Sequence, residues 1–245
     1  LPRDNLSEMP VLESEAVVLR SYDLKEADRI IVLFTREFGI LRCVAKGIKR
    51  LKSRFGSSLE QFNRVKVAIY EKEHRELNSI ESVELIESRF GAAADPETLA
   101  LFSYFAQKLI DFLPPHDADE RVYRMLNACI DAARDGDQRT LRAYFDFWLL
   151  SLTGYWPDMK KCSNCGNSAH DSLFLTDSLS VYCRTCAKNL RRPTIELNKT
   201  LLEQISLAQK SAPGKFLQQL NTESLADFEN LISRIIKKTS AVGLA

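Results

Sequence analysis

Four cysteines carry the sharpest chemistry in this 245-residue sequence: Cys162-Ser-Asn-Cys165-Gly166 and Cys183-Arg-Thr-Cys186, together C-x2-C-x17-C-x2-C. A two-residue spacer lets the chain turn back so that both thiolates of a pair face one point. Two such pairs supply the four sulfur ligands of a tetrahedral Zn2+. Gly166 relieves crowding behind the first pair, and Lys160, Lys161, Arg184 and Lys188 moderate the charge of a four-thiolate centre. Four protein ligands fill the coordination shell, so no position remains for an activated water, and Cys162, Cys165, Cys183 and Cys186 read as a structural zinc site. A redox dithiol would need a βαβ setting, which is absent here. His170 lies between the pairs but is superfluous as a ligand. Cys43 and Cys129 fall on apolar faces and read as core.

A second chemistry is electrostatic. Between Arg42 and Arg54 six basic residues, Arg42, Lys46, Lys49, Arg50, Lys52 and Arg54, occur without an acidic one, beside Gly47, Ser53, Gly56, Ser57 and Ser58. This reads as a flexible basic loop suited to phosphate backbones, with Phe55 and Phe62 as candidate stacking platforms for bases; Phe62 reads equally as core. The bland alternative is a solvated turn. From Glu71 to Glu97 there follow eight acidic and three basic residues, so a formal net charge of +1 conceals charge segregated along the chain. A second basic set, Arg184, Lys188, Arg191 and Arg192, either extends the binding surface or only solvates the cysteine knuckle.

These residues need elements to position them. The length allows one large domain or two small ones, and 45% hydrophobic with 27% charged residues is an ordinary globular balance that excludes wholesale disorder. No apolar run approaches the roughly 18 to 20 residues of a membrane span, and a cytoplasmic location is expected. Residues 1–10 read as a mobile tail or an expression remnant. From Val11 to about Phe90, β-branched clusters at 16–19, 30–34, 40–45, 65–70 and 80–86 suggest five strands and a small closed barrel. Alternation puts Leu41, Cys43 and Ala45 on one face with Arg42, Val44 and Lys46 on the other, and sets Val65, Val67 and Ile69 inward.

From residue 91 the pattern turns helical. Asp95-Pro96 reads as an N-cap, followed by a stripe of Leu99, Phe102, Phe105, Leu109 and Leu113 that Pro114-Pro115 ends. Further stripes carry Val122, Leu126, Cys129, Ile130 and Ala133, then Leu141, Phe145, Trp148 and Leu152, with Gly154 and Pro157 beyond. Phe145 and Trp148 read as helix packing rather than base stacking. After the cysteine insertion at 160–191, helices resume near 201–209 and 224–238. The expected architecture is an α+β multidomain chain: a five-stranded barrel over 11–90, then an all-α domain over 91–245 with an inserted four-cysteine zinc site.

Enzyme motifs are missing. There is no phosphate-binding G-x-x-x-x-G-K-[ST], no G-x-G-x-x-G, no H-E-x-x-H and no G-x-S-x-G, and His74, His116 and His170 sit in unrelated segments. Acid pairs such as Glu71 and Glu73 read as an exposed strand end. No enzymatic activity is expected.

The barrel, basic loop, helical domain and cysteine insertion together resemble the bacterial RecO family of DNA repair and recombination mediators. The stretches that carry the likeness are Met9-Pro-Val-Leu-Glu-Ser-Glu-Ala-Val-Val-Leu-Arg20, Glu26-Ala-Asp-Arg-Ile-Ile-Val-Leu-Phe-Thr-Arg36, Ala45-Lys-Gly-Ile-Lys-Arg50 with Lys52-Ser-Arg54, and Gly154-Tyr-Trp-Pro157 leading into Cys162. The family's usual Leu-Gln-Pro-Phe stands here as Leu59-Glu60-Gln61-Phe62. The resemblance implies an oligonucleotide-binding (OB) fold and binding to single- and double-stranded DNA. It also implies strand annealing and, with RecR, loading of RecA onto DNA coated by single-strand-binding protein, with RecF a further partner and a place near the nucleoid. It implies no nucleotide cofactor; the zinc is a scaffold, because some members lack the cysteines. A zinc-ribbon transcription or translation factor would share the cysteines and the basic loop, and a metal-dependent nuclease would need an open coordination site.

Overall fold

A computed structural model describes residues 11–71, 77–134, 136–168 and 172–243. The expectations for residues 1–10, and for Glu73, His74 and His170, fall outside the described residues. Five strands form first: β1 (Val11–Asp23), β2 (Arg29–Thr35), β3 (Gly39–Ala45), β4 (Arg64–Tyr70) and β5 (Asn78–Glu87). Their hydrogen-bonded order is β1-β2-β3-β5-β4, and β4 pairs back onto β1, so the sheet closes. All pairings are antiparallel except β3 with β5, where Cys43 and Val44 face Asn78 and Ser79.

The period-2 pattern fixes what the barrel encloses. Leu41, Cys43 and Ala45 point inward with Val65, Val67, Ile69, Ile31 and Leu33, while Arg42 and Lys66 are exposed. Burial also extends to the other face of β1 and β2, where Val17, Leu19, Val32 and Phe34 are sealed from water. Helix packing explains this: α2 (Pro96–Phe112) lies against β1, and the Phe34 ring meets that of Tyr123 at 5.8 Å.

The segment joining β3 to β4 corrects two expectations. It is a ladder of hydrogen-bonded turns, Arg50 N–H to Gly47 O, Ser53 N–H to Arg50 O, Ser58 N–H to Phe55 O, Asn63 N–H to Glu60 O, rather than a loose loop. Phe55 is no stacking platform either: at 2% exposure it enters the barrel core together with Leu59. An apolar ring at the open end of a small barrel has more to gain from the interior than from water, so the loop is pinned from within. Phe62 is buried too, in a left-handed backbone conformation (φ 70°), its ring edge-on to Phe102.

Three helices follow the barrel: α1 (Phe90–Ala93), α2 and α3 (Glu120–Ala132). Asp95 caps α2 as expected, its carboxylate accepting from Thr98 N–H at 2.8 Å and from the Thr98 hydroxyl. On its buried face are Leu101, Phe102, Phe105, Ala106, Leu109 and Phe112; Leu99, expected in that stripe, is 40% exposed, because the helix is rotated to give Leu101 the inner position. Asp95→Ala removes both cap bonds, and a stability loss of about 1 kcal/mol, read as a melting shift of about 2–4 °C, is expected.

The chain divides into two compact units, Leu1–Arg124 and Met125–Ala245. The strand-to-helix change falls near residue 90, and α1 and α2 stay in the first unit. Helix α4 (Gln138–Leu152), capped by Asp137, is the spine of the second. Its Phe147 packs edge-on against Trp156 and also meets Phe228, and Trp148 donates its indole N–H to Ala208 O, so the aromatic stripe is helix packing as expected. Beyond it come β6 (Leu173–Thr176), β7 (Val181–Cys183), α5 (Arg184–Ala187), β8 (Thr194–Leu197), α6 (Lys199–Lys210), α7 (Pro213–Gln219) and α8 (Leu225–Gly243). The three strands form an antiparallel sheet, β7-β6-β8, which the sequence reading left unassigned. Helix α8 buries Leu225, Phe228, Ile232 and Ile235, the expected face. Among the described residues, no helix is long and apolar enough to cross a membrane.

Candidate metal centre and nucleic-acid interface

The four cysteines of the two pairs converge. Their sulfurs all lie within 4.8 Å of one another, and Cys165 Sγ stands 3.9 Å from Cys183 Sγ. A tetrahedral Zn2+ with Zn–S bonds of about 2.3 Å sets its sulfurs about 3.8 Å apart, so the donor set and its spacing fit the ion.

Local structure explains the convergence. After Cys162 the chain reverses, with Gly166 N–H donating to Cys162 O at 2.9 Å and Cys162 N–H to Asn167 O at 3.0 Å. Gly166 takes φ +71°, and a Cβ there would meet open space, so its role is the turn itself. Ser163 ties this turn to β7: its N–H donates to Val181 O, and its hydroxyl accepts from Val181 N–H. Strand β7 then ends on Cys183, and one turn of α5 carries Cys186 to the same centre. Asn164, which sequence reasoning passed over, donates its amide to Cys186 Sγ at 3.3 Å.

The thiols are electrostatically unequal. Burial alone would push the Cys162 thiol up, but backbone N–H donors from Cys165, Cys183 and Asn164 outweigh it and bring it down to about 6. At Cys186 the Asn164 amide favours the thiolate, yet the neighbouring sulfurs, Cys183 foremost, and burial together raise it to about 11. Four negative charges in so small a space repel one another, and a dication is what lets all four ionise together. Cys43 has no such role: burial raises its thiol to about 12 inside the barrel. Cys129, fully buried in α3, is raised as well, for the same reason.

The six basic residues of the first unit fall into two classes. Lys49 Nζ pairs with Asp23 at 2.8 Å, and that hydrogen bond, with Arg29 second, holds the exposed Asp23 carboxyl below its usual range. Lys49 N–H also donates to Ala27 O, and Gly47 N–H to the Asp28 carboxylate, which tie the loop to the β1–β2 turn. Arg54 donates to Ile80 O at 3.1 Å and lies over the Phe55 ring at 4.8 Å. Lys49 and Arg54 therefore hold the loop. Arg42, Lys46, Arg50 and Lys52 are exposed and, among the described residues, have no carboxylate partner. Between the last two stands Leu51, fully exposed at 103%, which the sequence reading did not single out.

Other candidates resolve into structure. Arg184 bridges α5 to β8 through Glu196 at 2.9 Å and also reaches the Ser172 hydroxyl, while Lys188, Arg191 and Arg192 are exposed. Arg234 on α8 pairs with Asp177. His116, at φ 62°, sits in a turn whose N–H donates to Ile40 O.

Comparison with known proteins identifies one family along the chain. Residues 9–89 match the family described as recombination protein O N terminal, and residues 93–244 match recombination protein O C terminal. The chain is 35% identical over 189 residues to the DNA repair protein RecO of Koribacter versatilis, covering 76% of this chain and 75% of that one. It is 36% identical over 163 residues to that of Bifidobacterium animalis subsp. lactis, 65% and 67% covered, and 28% identical over 196 residues to that of Pelotomaculum thermopropionicum, 80% and 75% covered.

Proposed function

Because the chain belongs to the recombination protein O family, and so works in DNA repair and recombination, we propose that it is a strand-annealing mediator. On this reading the barrel of residues 11–90 holds DNA while the second unit, braced by a structural Zn2+ on Cys162, Cys165, Cys183 and Cys186, receives protein partners. Its partners are single- and double-stranded DNA, RecR, and the single-strand-binding protein whose coat must be remodelled before RecA loads; RecF is a further one.

The observation that carries the DNA part is the row of exposed cations Arg42, Lys46, Arg50 and Lys52, without a carboxylate partner among the described residues, on one barrel strand and the loop that follows it. Cations that are not neutralised internally remain available to displace counterions from phosphates, and a surface of this kind binds with strong salt dependence and weak sequence preference. Annealing then needs no bond chemistry. Two strands held on one cationic surface repel each other less and meet at a higher effective concentration. We read the protein as a binding protein rather than an enzyme, since four thiolates would close the zinc shell to water.

The test is annealing of complementary strands coated with single-strand-binding protein. The parent protein should speed annealing well above the spontaneous rate, and the variant lacking Arg42, Lys46, Arg50 and Lys52 should not. Sequence-selective duplex binding without annealing would instead support a transcription-factor role for the same surface.

A further inference from the structure

Leu51 is the most exposed large apolar side chain among those described, and its neighbours on both sides, Arg50 and Lys52, are exposed cations. The turn that carries them is not loose. Arg50 N–H bonds Gly47 O, Ser53 N–H bonds Arg50 O, Lys49 N–H bonds Ala27 O, and Phe55 and Leu59 anchor the following residues inside the barrel. A leucine held fully out in water at the tip of an anchored turn gains nothing from the folded chain itself, and the cations beside it do not suit an apolar protein partner.

Resting on the nucleic-acid reading above, we infer that Leu51 is a wedge that enters a base step of single-stranded DNA while Arg50 and Lys52 hold the phosphates on either side. Residues 50 and 52 are two apart, so their Cα atoms lie within about 7 Å, close enough to flank a single opened step. Leucine is one of the apolar side chains that proteins insert between bases, and the cost is the stacking lost at that step. That cost is lowest where no partner strand must be unpaired, so the wedge favours single strands over duplexes. A side chain inserted between base faces leaves the in-plane pairing edges of the flanking bases uncovered, as annealing requires.

The experiment uses the full chain and an oligonucleotide carrying one 2-aminopurine, whose emission rises when it is unstacked. Binding of the parent protein should raise the emission of the single strand more than that of the duplex. Leu51→Ala should abolish the rise at saturating protein and weaken single-strand binding roughly fivefold, with the salt slope unchanged, because no phosphate contact is lost. Leu51→Phe should restore both. If Leu51→Ala binds and brightens the probe like the parent, the wedge is wrong while the cationic surface stands. If the parent protein itself does not bind the oligonucleotide at low salt, the nucleic-acid reading fails and the wedge fails with it.

Discussion

Cys162→Ser should cost the second unit its metal and more than about 4 kcal/mol of stability, the kind of loss that only a few mechanisms produce. Cys162 is 2% exposed and begins the reversal that brings Cys165 round. A serine there offers a poor ligand and leaves a buried hydroxyl beside three thiols. The surrounding elements have little else to hold them: β6, β7 and β8 are four, three and four residues long, and α5 is a single turn. Strands that short do not stand without support. The buried Leu173, Leu175, Val181 and Leu197 supply about 6–12 kcal/mol, and apparent binding free energies of structural zinc, about 10–16 kcal/mol, are at least comparable. Metal content should fall from about one ion per chain to near none, and the second unit should unfold at lower denaturant than the parent. Cys43→Ser, deep in the barrel core and not one of the four clustered cysteines, should keep the ion. A Cys162→Ser protein that retains one zinc per chain and melts like the parent would overturn the ligand assignment.

What the sequence revealed and what it hid follow from range. Ligand spacing is local, so the two cysteine pairs were legible, as was the inward face of Leu41, Cys43 and Ala45, which depends only on alternation. Asp95-Pro96 announced its helix because a cap is a property of a few adjacent residues. The fate of Phe55 was not local. Its neighbours are polar and basic, and only the closing of β3, β4 and β5 around an open barrel end makes the interior the better place for its ring. Lys49 and Arg54 were indistinguishable from Arg50 and Lys52 by composition. The difference lies in Asp23 and Ile80, 26 residues away in each case along the chain and adjacent only after folding. The sheet of β6, β7 and β8 escaped notice because its strands are too short to show a period. Leu51 was hidden by the opposite problem: a single leucine in a basic run looks unremarkable until its neighbours are seen to leave it uncovered.

Removing the four exposed cations together, Arg42→Ala, Lys46→Ala, Arg50→Ala and Lys52→Ala, should weaken single-strand binding by several hundredfold at about 0.1 M salt. Each phosphate neutralised on a single strand contributes about 0.7 to the slope of log affinity against log salt, so four contacts account for a slope change of about 3. At about 0.1 M salt each contact is then worth roughly fivefold, and the four multiply. Folding should be untouched, since these side chains are exposed and have no carboxylate partner among the described residues. Lys49→Ala serves as the contrast. Its ammonium is paired with Asp23, so its removal loosens the tie between the loop and the β1–β2 turn and should change the slope by much less than one contact. Binding measured across a salt series separates the two effects, because a loosened loop lowers affinity at every salt concentration alike whereas a lost phosphate contact changes the slope. An unchanged slope in the fourfold variant would mean that DNA lies elsewhere on the molecule, and the exposed Lys188, Arg191 and Arg192 beside the metal centre would then be the surface to remove next.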